Sequence, residues 1–393
     1  MVKATAARDR VAVIGVGQTK FGEHWELSIR RITLTAATAC LADSGVRGAD
    51  IDGLYVSNTS TSSFMKQDHQ AAMAADSGGL LPIPSTEVEA ACASGGVAVR
   101  HAYMAIKSGE HKVIMVIGCE KMSDISEEGV ADTLMSAADR EWEGQMGATF
   151  PSLFGLITRR HMFHYGTTDE QLAAHPVKAH ANAIENPYAQ FRYKITLDQV
   201  LSSPMVADPL RVLNCAPISD GAAALILCRG DLVKQFRGEP IWIDAAMQAS
   251  DTLAVHSRPH ITVFRAVKAA AKDAYKKAAV TLKDIGLFEV HDSFSICEII
   301  AAEDLGLVEK GQGGPALAQG MFNKDGQFPI NPSGGLKAKG HPVGATGVAQ
   351  IAEVVEQLRN TAGGRQIKGA KKGLALSMGG TGSTAVVHIL SKD

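Results

Sequence analysis

The chain has 393 residues, of which 46% are hydrophobic and 20% charged, with a formal net charge of −2 at pH 7. Such a length predicts two or three domains, or one large α/β unit with an insertion. The balanced charge argues against binding to nucleic acid or to an anionic membrane surface. No apolar stretch reaches the roughly 20 residues that a membrane-spanning helix needs.

The six cysteines are scattered and form no CxxC pair, which argues against a disulfide framework and a zinc ribbon. We therefore expect a reducing, cytoplasmic setting. Basic residues precede a short apolar run at the N-terminus, but the run lacks a small-residue cleavage site, so we interpret it as the first strand and not as a signal peptide.

The first part of the chain alternates predicted strands and helices. In order, these are a strand at 11–17, a helix at 28–46, a strand at 51–58, a strand, sharp turn and long helix within 84–110, and a strand at 112–122. Such alternation is typical of an α/β fold with a mostly parallel sheet covered by helices.

Residues 123–205 break this pattern, since they are polar and helical only in pieces. We expect them to form an excursion that covers a substrate. Regular structure resumes with a buried strand that ends near residue 228.

The second half repeats the first. A helix is predicted at 264–275, a strand that runs into a helix at 285–294, a glycine turn and helix at 334–360, and two strands joined by a glycine turn at 371–390. Two similar units, each with a reactive residue at a turn, predict a duplicated fold with one active site between the halves.

Cys92 lies in "EAACASGG", just before a helix expected to begin near Ser94. A thiol at a helix N-terminus is expected to have a lowered pKa, and nearby backbone N–H groups could hold an oxyanion. The alternative is a small buried cysteine that packs a tight turn.

His341, in "KGHPVGATG", could activate that thiol, or it could cap the following helix. The glycine turn of "SMGGTGST" could face an anion. His161 and His164 have helical spacing, but without a third ligand we expect no metal site. No nucleotide-binding glycine motif is present in the sequence.

Four motifs together resemble the thiolase superfamily: "ACASGG", "HDSF", "GHPVGATG" and "SMGGTG". They occur in the family's order, and the similarity covers essentially the whole chain. "HDSF" is similar to the sterol-carrier-protein-type branch, especially its archaeal and bacterial acetyl-CoA acetyltransferase-like members.

The resemblance implies a five-layered αβαβα fold of two similar halves. Residues 1–122 and 206–240 would form the N-terminal half, 123–205 a loop domain over the acyl-CoA, and 241–393 the C-terminal half. It implies a CoA-dependent acyltransferase that cleaves a 3-oxoacyl-CoA or runs the reverse Claisen condensation, with CoA as co-substrate, no metal and no other cofactor.

The resemblance also implies residue roles. Cys92 would carry the acyl group, His341 would activate Cys92, and His291 would complete an oxyanion hole. The backbone N–H groups of Cys92 and Gly379 would form a second oxyanion hole. The expected substrate-binding residues are Ser377, Gly380 and Gly344.

One departure from the family pattern concerns the second cysteine that usually acts as acid and base. The two positions where it occurs are Ser377 and Ser293 here. A serine hydroxyl is a poor base near neutral pH. Ser293 could relay protons through His291, Cys297 could replace the thiol, or the substrate could be bulky and activated, such as 2-benzoylsuccinyl-CoA.

Two alternatives stay open. One is a one-cysteine condensing or decarboxylating acyltransferase, and the other is a non-catalytic thiolase-like subunit. The resemblance further implies at least a homodimer and a small zinc-ribbon and OB-fold partner protein.

Overall fold

The computed structural model describes residues 8–392. Its strands are β1 (Val11–Gln18), β2 (Gly53–Ser57), β3 (Ser85–Val88), β4 (Val113–Glu120), β5 (Met205–Ala207), β6 (Leu210–Arg211), β7 (Gly221–Arg229), β8 (Ile241–Ser250), β9 (Leu287–Glu289), β10 (Lys372–Gly379) and β11 (Thr384–Ser391).

The helices are α1 (Ile29–Ser44), α2 (Thr61–Met65), α3 (Gln70–Ser77), α4 (Ser94–Ser108), α5 (Glu127–Leu134), α6 (Phe150–Tyr165), α7 (Asp169–Ala183), α8 (Leu197–Ser202), α9 (Arg265–Ala278), α10 (Ser295–Asp304), α11 (Gly313–Ala318), α12 (Gly335–Ala338) and α13 (Val343–Arg359).

The strand order shows an internal duplication. Strands β3-β2-β4-β7-β1 form the N-terminal half and β8-β11-β10-β9 the C-terminal half, joined where β1 pairs with β8. A parallel bridge from Phe288 in β9 to Ile330 places a chain segment where the third strand of the second unit would lie. The two halves therefore have equivalent strand orders.

Alternating strand residues separate the layers. Ala12 and Ile14 of β1 pack against the outer helices α1 and α3, whereas Val11 and Val13 pack in the central layer with α4 and α13. In the C-terminal half, Val387 faces the outer layer with α9 and α10. A period of two is what a sheet covered on both faces requires. The predicted five-layered α/β fold is confirmed.

The two central helices approach each other at glycine. A Cβ atom added to Gly347 of α13 would lie 2.3 Å from the backbone N of Gly96 in α4, and one on Gly95 would lie 2.8 Å from the N of Val348. Only glycine permits this separation between helix backbones. The contact places the N-termini of α4 and α13 side by side.

Residues 123–205 contain α5 to α8. Three of these helices begin at a threonine, Thr149, Thr168 or Thr196, whose side chain accepts a hydrogen bond in a capping box. The division into two halves and a loop domain, with the boundaries given above, stays a prediction.

Most predicted elements lie where the sequence places them. Helix α1 ends at Gly45 in the left-handed conformation, and α4 begins at Ser94 as expected. Strand β8 was not predicted. The predicted mostly parallel sheet was wrong, because β2–β3, β2–β4 and β9–β10 pair in parallel while β1–β7, β1–β8, β4–β7, β8–β11 and β10–β11 are antiparallel. None of the helices within residues 8–392 has the length and hydropathy needed to cross a membrane.

Substitution of Gly347 by alanine is expected to destabilise the protein, because the new methyl group would meet backbone atoms of α4 that cannot move aside. Overpacking of this kind typically costs about 1–3 kcal/mol. We expect thermal unfolding followed by circular dichroism to show a melting temperature about 1–4 °C lower, because an unfolding entropy of about 2.1 cal/mol/K per residue makes 1 kcal/mol worth about 1.2 °C in a chain of 393 residues.

Gly129→Ala is the matched control. Its added Cβ would meet the terminal Cδ1 of Ile125 at 3.3 Å, which is the mobile end of a side chain. Its melting temperature should stay the same or rise by about 1 °C, because alanine favours a helix over glycine by up to about 1 kcal/mol. Equal melting temperatures for the two variants would contradict the close-packed interface.

Candidate active site

Cys92 lies on a strained turn between β3 and α4. Ala91, the residue before it, has a φ of 52°, a conformation that non-glycine residues rarely adopt. The Ala91 carbonyl accepts hydrogen bonds from the hydroxyls of Ser94 at 2.6 Å and Thr59 at 3.1 Å. These bonds hold the strained turn and fix the direction of the Cys92 side chain.

The thiol of Cys92 is buried and neutral. Burial raises its pKa to about 12, while backbone N–H groups of Gly380 and of Cys92 itself oppose the rise. The charges of Glu120 and Glu89 raise the pKa further. The predicted lowering of this pKa was wrong, because desolvation outweighs the helix N-terminus.

His341 lies just before α13, as Cys92 lies just before α4. Its backbone N–H donates to the hydroxyl of Ser219 at 3.0 Å, and its Nδ1 lies 2.7 Å from the hydroxyl of Thr346. That hydroxyl donates its own hydrogen to the carbonyl of Pro342 at 2.9 Å, so it accepts from Nδ1–H. Nε2 is therefore left with its lone pair and can act as a base. Burial holds the pKa of His341 well below its usual value.

His291 follows β9, in the turn before α10. Its ring meets that of His341 edge to face, with 5.1 Å between the centroids. Burial lowers the pKa of His291 to about 4, and the charge of Asp292 opposes this. Both imidazoles are therefore neutral near pH 7.

The three groups converge on one cavity. The sulfur of Cys92 and a ring nitrogen each of His291 and His341 lie within 4.8 Å of one another. The cavity has a volume of about 100 Å³, and Ser293 is a further polar residue in its wall. Its apolar wall includes Met122, Leu134, Phe150, Phe154, Phe294 and Val343. The sequence prediction of one site between two halves agrees with this geometry.

The predicted glycines have different positions. Gly380 lies in the cavity wall with its N–H at the Cys92 sulfur, so it occupies the place expected for Gly379. Gly379 ends β10, and a Cβ there would lie 2.5 Å from the carbonyl O of Ala90. Gly344 instead donates its N–H to Glu120 at 3.1 Å.

The two serines also differ. Ser293 lies in the cavity wall, with its hydroxyl 3.7 Å from the Cys297 sulfur. Ser377 is buried outside the cavity wall and donates to Gln350 at 2.8 Å. Burial raises the pKa of Cys297 to about 12, so this thiol is neutral as well.

Three residues that support the site were not predicted from the sequence. Glu120 accepts the N–H groups of Thr59 at 2.8 Å and of Gly344, and so ties β4 to the N-terminus of α13. Thr346 fixes the tautomer of His341, and His175 bonds Asp292. The one available signal was a charged residue at the end of the apolar strand β4.

Within residues 8–392, two groups of side chains have the spacing of metal ligands. Besides the catalytic-site group, His175, Asp292 and Glu298 are fully buried within 4.8 Å of one another. The ammonium of Lys178 lies 2.6 Å from Glu298 and supplies the positive charge there, which disfavours a cation. His161, mentioned above, is paired with Glu303 at 3.2 Å.

Two family models cover most of the chain: "Thiolase, N-terminal domain" matches residues 11–231 and "Thiolase C-terminal domain-like" matches residues 247–392. The chain belongs to the thiolase family. As a thiolase it is an acyltransferase, and thiolases use CoA esters as substrates.

Three relatives show which thiolases this chain is similar to in sequence. An acetyl-CoA acetyltransferase of Methanothermobacter thermautotrophicus is 54% identical over 97% of this chain and 99% of its own. Sterol carrier protein 2 of Gallus gallus is 35% identical, over 98% of this chain and 72% of its own. Benzoylsuccinyl-CoA thiolase subunit BbsB of Thauera aromatica is 33% identical over 91% of each chain.

The fold has a close match among solved structures. The complex named Ltp2-ChsH2(DUF35) aldolase contains a chain that superposes with a TM-score of 0.85 over 98% of both chains, at 24% identity. This match shows the common fold.

Alkylation of Cys92 by iodoacetamide should accelerate about tenfold per pH unit between pH 7 and 9, because the thiolate fraction grows in that proportion when the pKa lies far above the pH. Mass spectrometry of the peptide that contains Cys92 measures the rate, with Cys92→Ala as the background. A rate that levels off below pH 8 would instead indicate a resting thiolate–imidazolium pair.

Proposed function

We propose that this thiolase cleaves a 3-oxoacyl-CoA with free CoA, or runs the reverse Claisen condensation, through an acyl group on Cys92. The observation that carries the proposal is the thiol of Cys92 beside two neutral imidazoles, within 4.8 Å of both. A neutral base next to a neutral thiol can form the nucleophile on demand.

The geometry supports the following roles in cleavage. Nε2 of His341 takes the proton of Cys92, and the thiolate attacks the 3-keto carbon. The N–H groups of Gly380 and Cys92, which point at the sulfur, hold the oxyanion that forms on that carbon. His291 donates to the thioester oxygen of the departing enolate. Free CoA then attacks acyl-Cys92 and releases the second CoA ester.

We infer that residues 123–205 form the loop domain over the acyl-CoA. Leu134, Phe150 and Phe154 from this segment line the cavity beside Cys92. They exclude water from the acyl group, and this protects a thioester intermediate from hydrolysis.

The preferred substrate is acetoacetyl-CoA, or two molecules of acetyl-CoA in the condensation direction. A cavity of about 100 Å³ bounded by three phenylalanines suits an acetyl group. The acetyl-CoA acetyltransferase at 54% identity supports the same choice. A bulky substrate such as 2-benzoylsuccinyl-CoA is the second candidate, favoured by the relative at 33% identity and by the serines at both second-cysteine positions.

A decarboxylating synthase of the same superfamily is the competing enzyme. It would release carbon dioxide and would not need free CoA. A non-catalytic subunit is disfavoured by the retained Cys92, His291 and His341.

The proposed assembly is at least a homodimer, with a small zinc-ribbon and OB-fold protein as a further partner. The fold neighbour named with ChsH2(DUF35) supports such a partner. All six cysteines are free thiols in the part of the chain that the structure describes, which supports a reducing compartment.

Thiolysis of acetoacetyl-CoA by the purified protein should require free CoA and yield two acetyl-CoA per turnover. We expect Cys92→Ala to lower kcat by at least about 10³-fold, because no other group can carry the acyl chain. Chromatography of the CoA esters measures both products. The control is Cys40→Ala, which removes a buried thiol in the outer layer and should keep kcat within about threefold.

The same assay with a bulky aromatic 3-oxoacyl-CoA decides between the substrates. We expect acetoacetyl-CoA to give the larger kcat/KM, since the aromatic group exceeds the cavity. Turnover of the aromatic ester alone, with acetoacetyl-CoA turnover gained in Ser293→Cys, would select the second candidate. Carbon dioxide release from a malonyl-type ester without free CoA would contradict the proposed thiolase reaction and favour the decarboxylating synthase.

A further inference from the structure

Hydrogen bonds fix the backbone around His291, whereas a nitrogen of its side chain is left without a partner within residues 8–392. Among residues 8–392, no group hydrogen-bonds its buried Nδ1, while the ring lines the cavity. The surrounding turn, by contrast, is fixed on both sides. The N–H of Val290 donates to Asn331 at 2.7 Å, and the carbonyl of Ser293 accepts from Ala216 at 2.8 Å. A buried polar atom without a partner is rare and marks a group kept for another use.

The cavity offers few other groups that could move a proton. The Nδ1 of His341 is committed to Thr346, and its Nε2 serves Cys92. The remaining thiol, Cys297, is unsuitable because it is fully buried outside the cavity wall. Position 377, where the family can carry its second cysteine, is a serine that donates its hydrogen bond to Gln350. The hydroxyl of Ser293 is too weak a base.

We propose that His291 is the acid and base that moves the proton on and off carbon C2 of the acyl-CoA, in place of the family's second thiol. This assignment rests on the proposed thiolase function: the protonated His291 donates the proposed hydrogen bond to the thioester oxygen and then gives that proton to C2.

The proton balance closes with neutral imidazoles. In condensation, acetyl-Cys92 meets acetyl-CoA, and His291 takes a proton from C2 as the C–H electron pair forms the enolate. The enolate carbon attacks the acetyl carbonyl, a C–C bond forms, and the C–S bond to Cys92 breaks. The proton on His291 then passes to His341, whose ring nitrogen lies within 4.8 Å, and from there to the departing sulfur of Cys92. Cleavage is the reverse, so one proton moves between sulfur and carbon.

A buried anion stabilises the imidazolium that forms in transit. Asp292 is fully buried, and its carboxylate accepts the N–H of Leu336 at 2.7 Å and bonds Nε2 of His175 at 2.8 Å. Burial raises the pKa of Asp292, but these bonds outweigh it and hold that pKa below its usual value, so Asp292 stays ionised next to His291. A fixed negative charge close to a histidine favours the protonated imidazole through Coulomb attraction. We assign Asp292 and His175 as positioning residues.

Two routes to the same acyl-Cys92 test the proposal. Acetyl-CoA acylates Cys92 by thioester exchange, which needs no proton on carbon, whereas acetoacetyl-CoA must receive a proton at C2. Rapid quenching and intact-protein mass spectrometry measure both rates. In His291→Gln, we expect the acetoacetyl-CoA route to slow by about 10²–10⁴-fold, the usual contribution of a general acid or base, and the acetyl-CoA route by less than about tenfold.

His291→Glu separates the base from the hydrogen-bond donor. Glutamine has the same shape and can donate a hydrogen bond but cannot accept a proton, whereas a buried carboxyl has a pKa raised toward neutrality and can exchange one. We expect the glutamate variant to use acetoacetyl-CoA at least about tenfold faster than the glutamine variant. An equal or faster rate in the glutamine variant would overturn the proposal, because His291 would then act only as a donor.

Two other outcomes would also overturn it. One is an equal loss of both routes in His291→Gln, and the other is a loss in Ser293→Ala as large as that in His291→Gln. Failure of the thiolase function itself would differ visibly, since the wild-type protein would then form no acyl-Cys92 from either ester.

Discussion

The close approach of α4 and α13 is the constraint on which the active site depends. Each helix begins at a residue that carries chemistry, and the glycines at their interface bring the backbones closer than side chains would allow. Because Cys92 precedes one N-terminus and His341 the other, the separation of the two helices sets the separation of nucleophile and base. The duplicated fold therefore does more than cover a large core. It delivers two helix N-termini to one point.

Burial then determines the charge state of that point. The pKa of Cys92 is raised to about 12 and that of His291 is lowered to about 4, both mainly by desolvation. A neutral resting site avoids the free-energy cost of buried charge, and the thiol of Cys92 keeps its proton until the reaction removes it. The N–H groups of Gly380 and Cys92 favour a negative charge there only when the reaction creates one. Such a site is prepared for the transition state, and its resting thiol is protected from unwanted oxidation.

The sequence was sufficient to predict the fold and to single out three residues that the structure brings together, because both depend on local patterns. Apolar strands, glycine turns and helix starts repeat in the two halves, and Cys92, His291 and His341 each lie in a short distinctive motif. What could not be predicted depends on contacts between distant segments. Nδ1 of His341 donates to Thr346, which is only five positions away, but the carboxylate of Glu120 accepts hydrogen bonds from residues 61 and 224 positions away. The predicted direction of the Cys92 pKa shift was wrong for the same reason, because burial is a property of the whole fold.

The missing second thiol and the small cavity fit one explanation. In the proposed reaction of acetoacetyl-CoA, C2 lies in a cavity of about 100 Å³ whose wall includes His291, so the histidine proposed as a hydrogen-bond donor is also within reach of that carbon. The imidazole of His291 is also in its basic, unprotonated form at neutral pH, whereas a buried thiol such as Cys297, whose pKa is about 12, is protonated. The serine at position 293 then needs only to fill space and bond its neighbour. In this arrangement a nitrogen of His291, and not a cysteine sulfur, carries the proton. The C–C and C–S bonds that form and break stay the same.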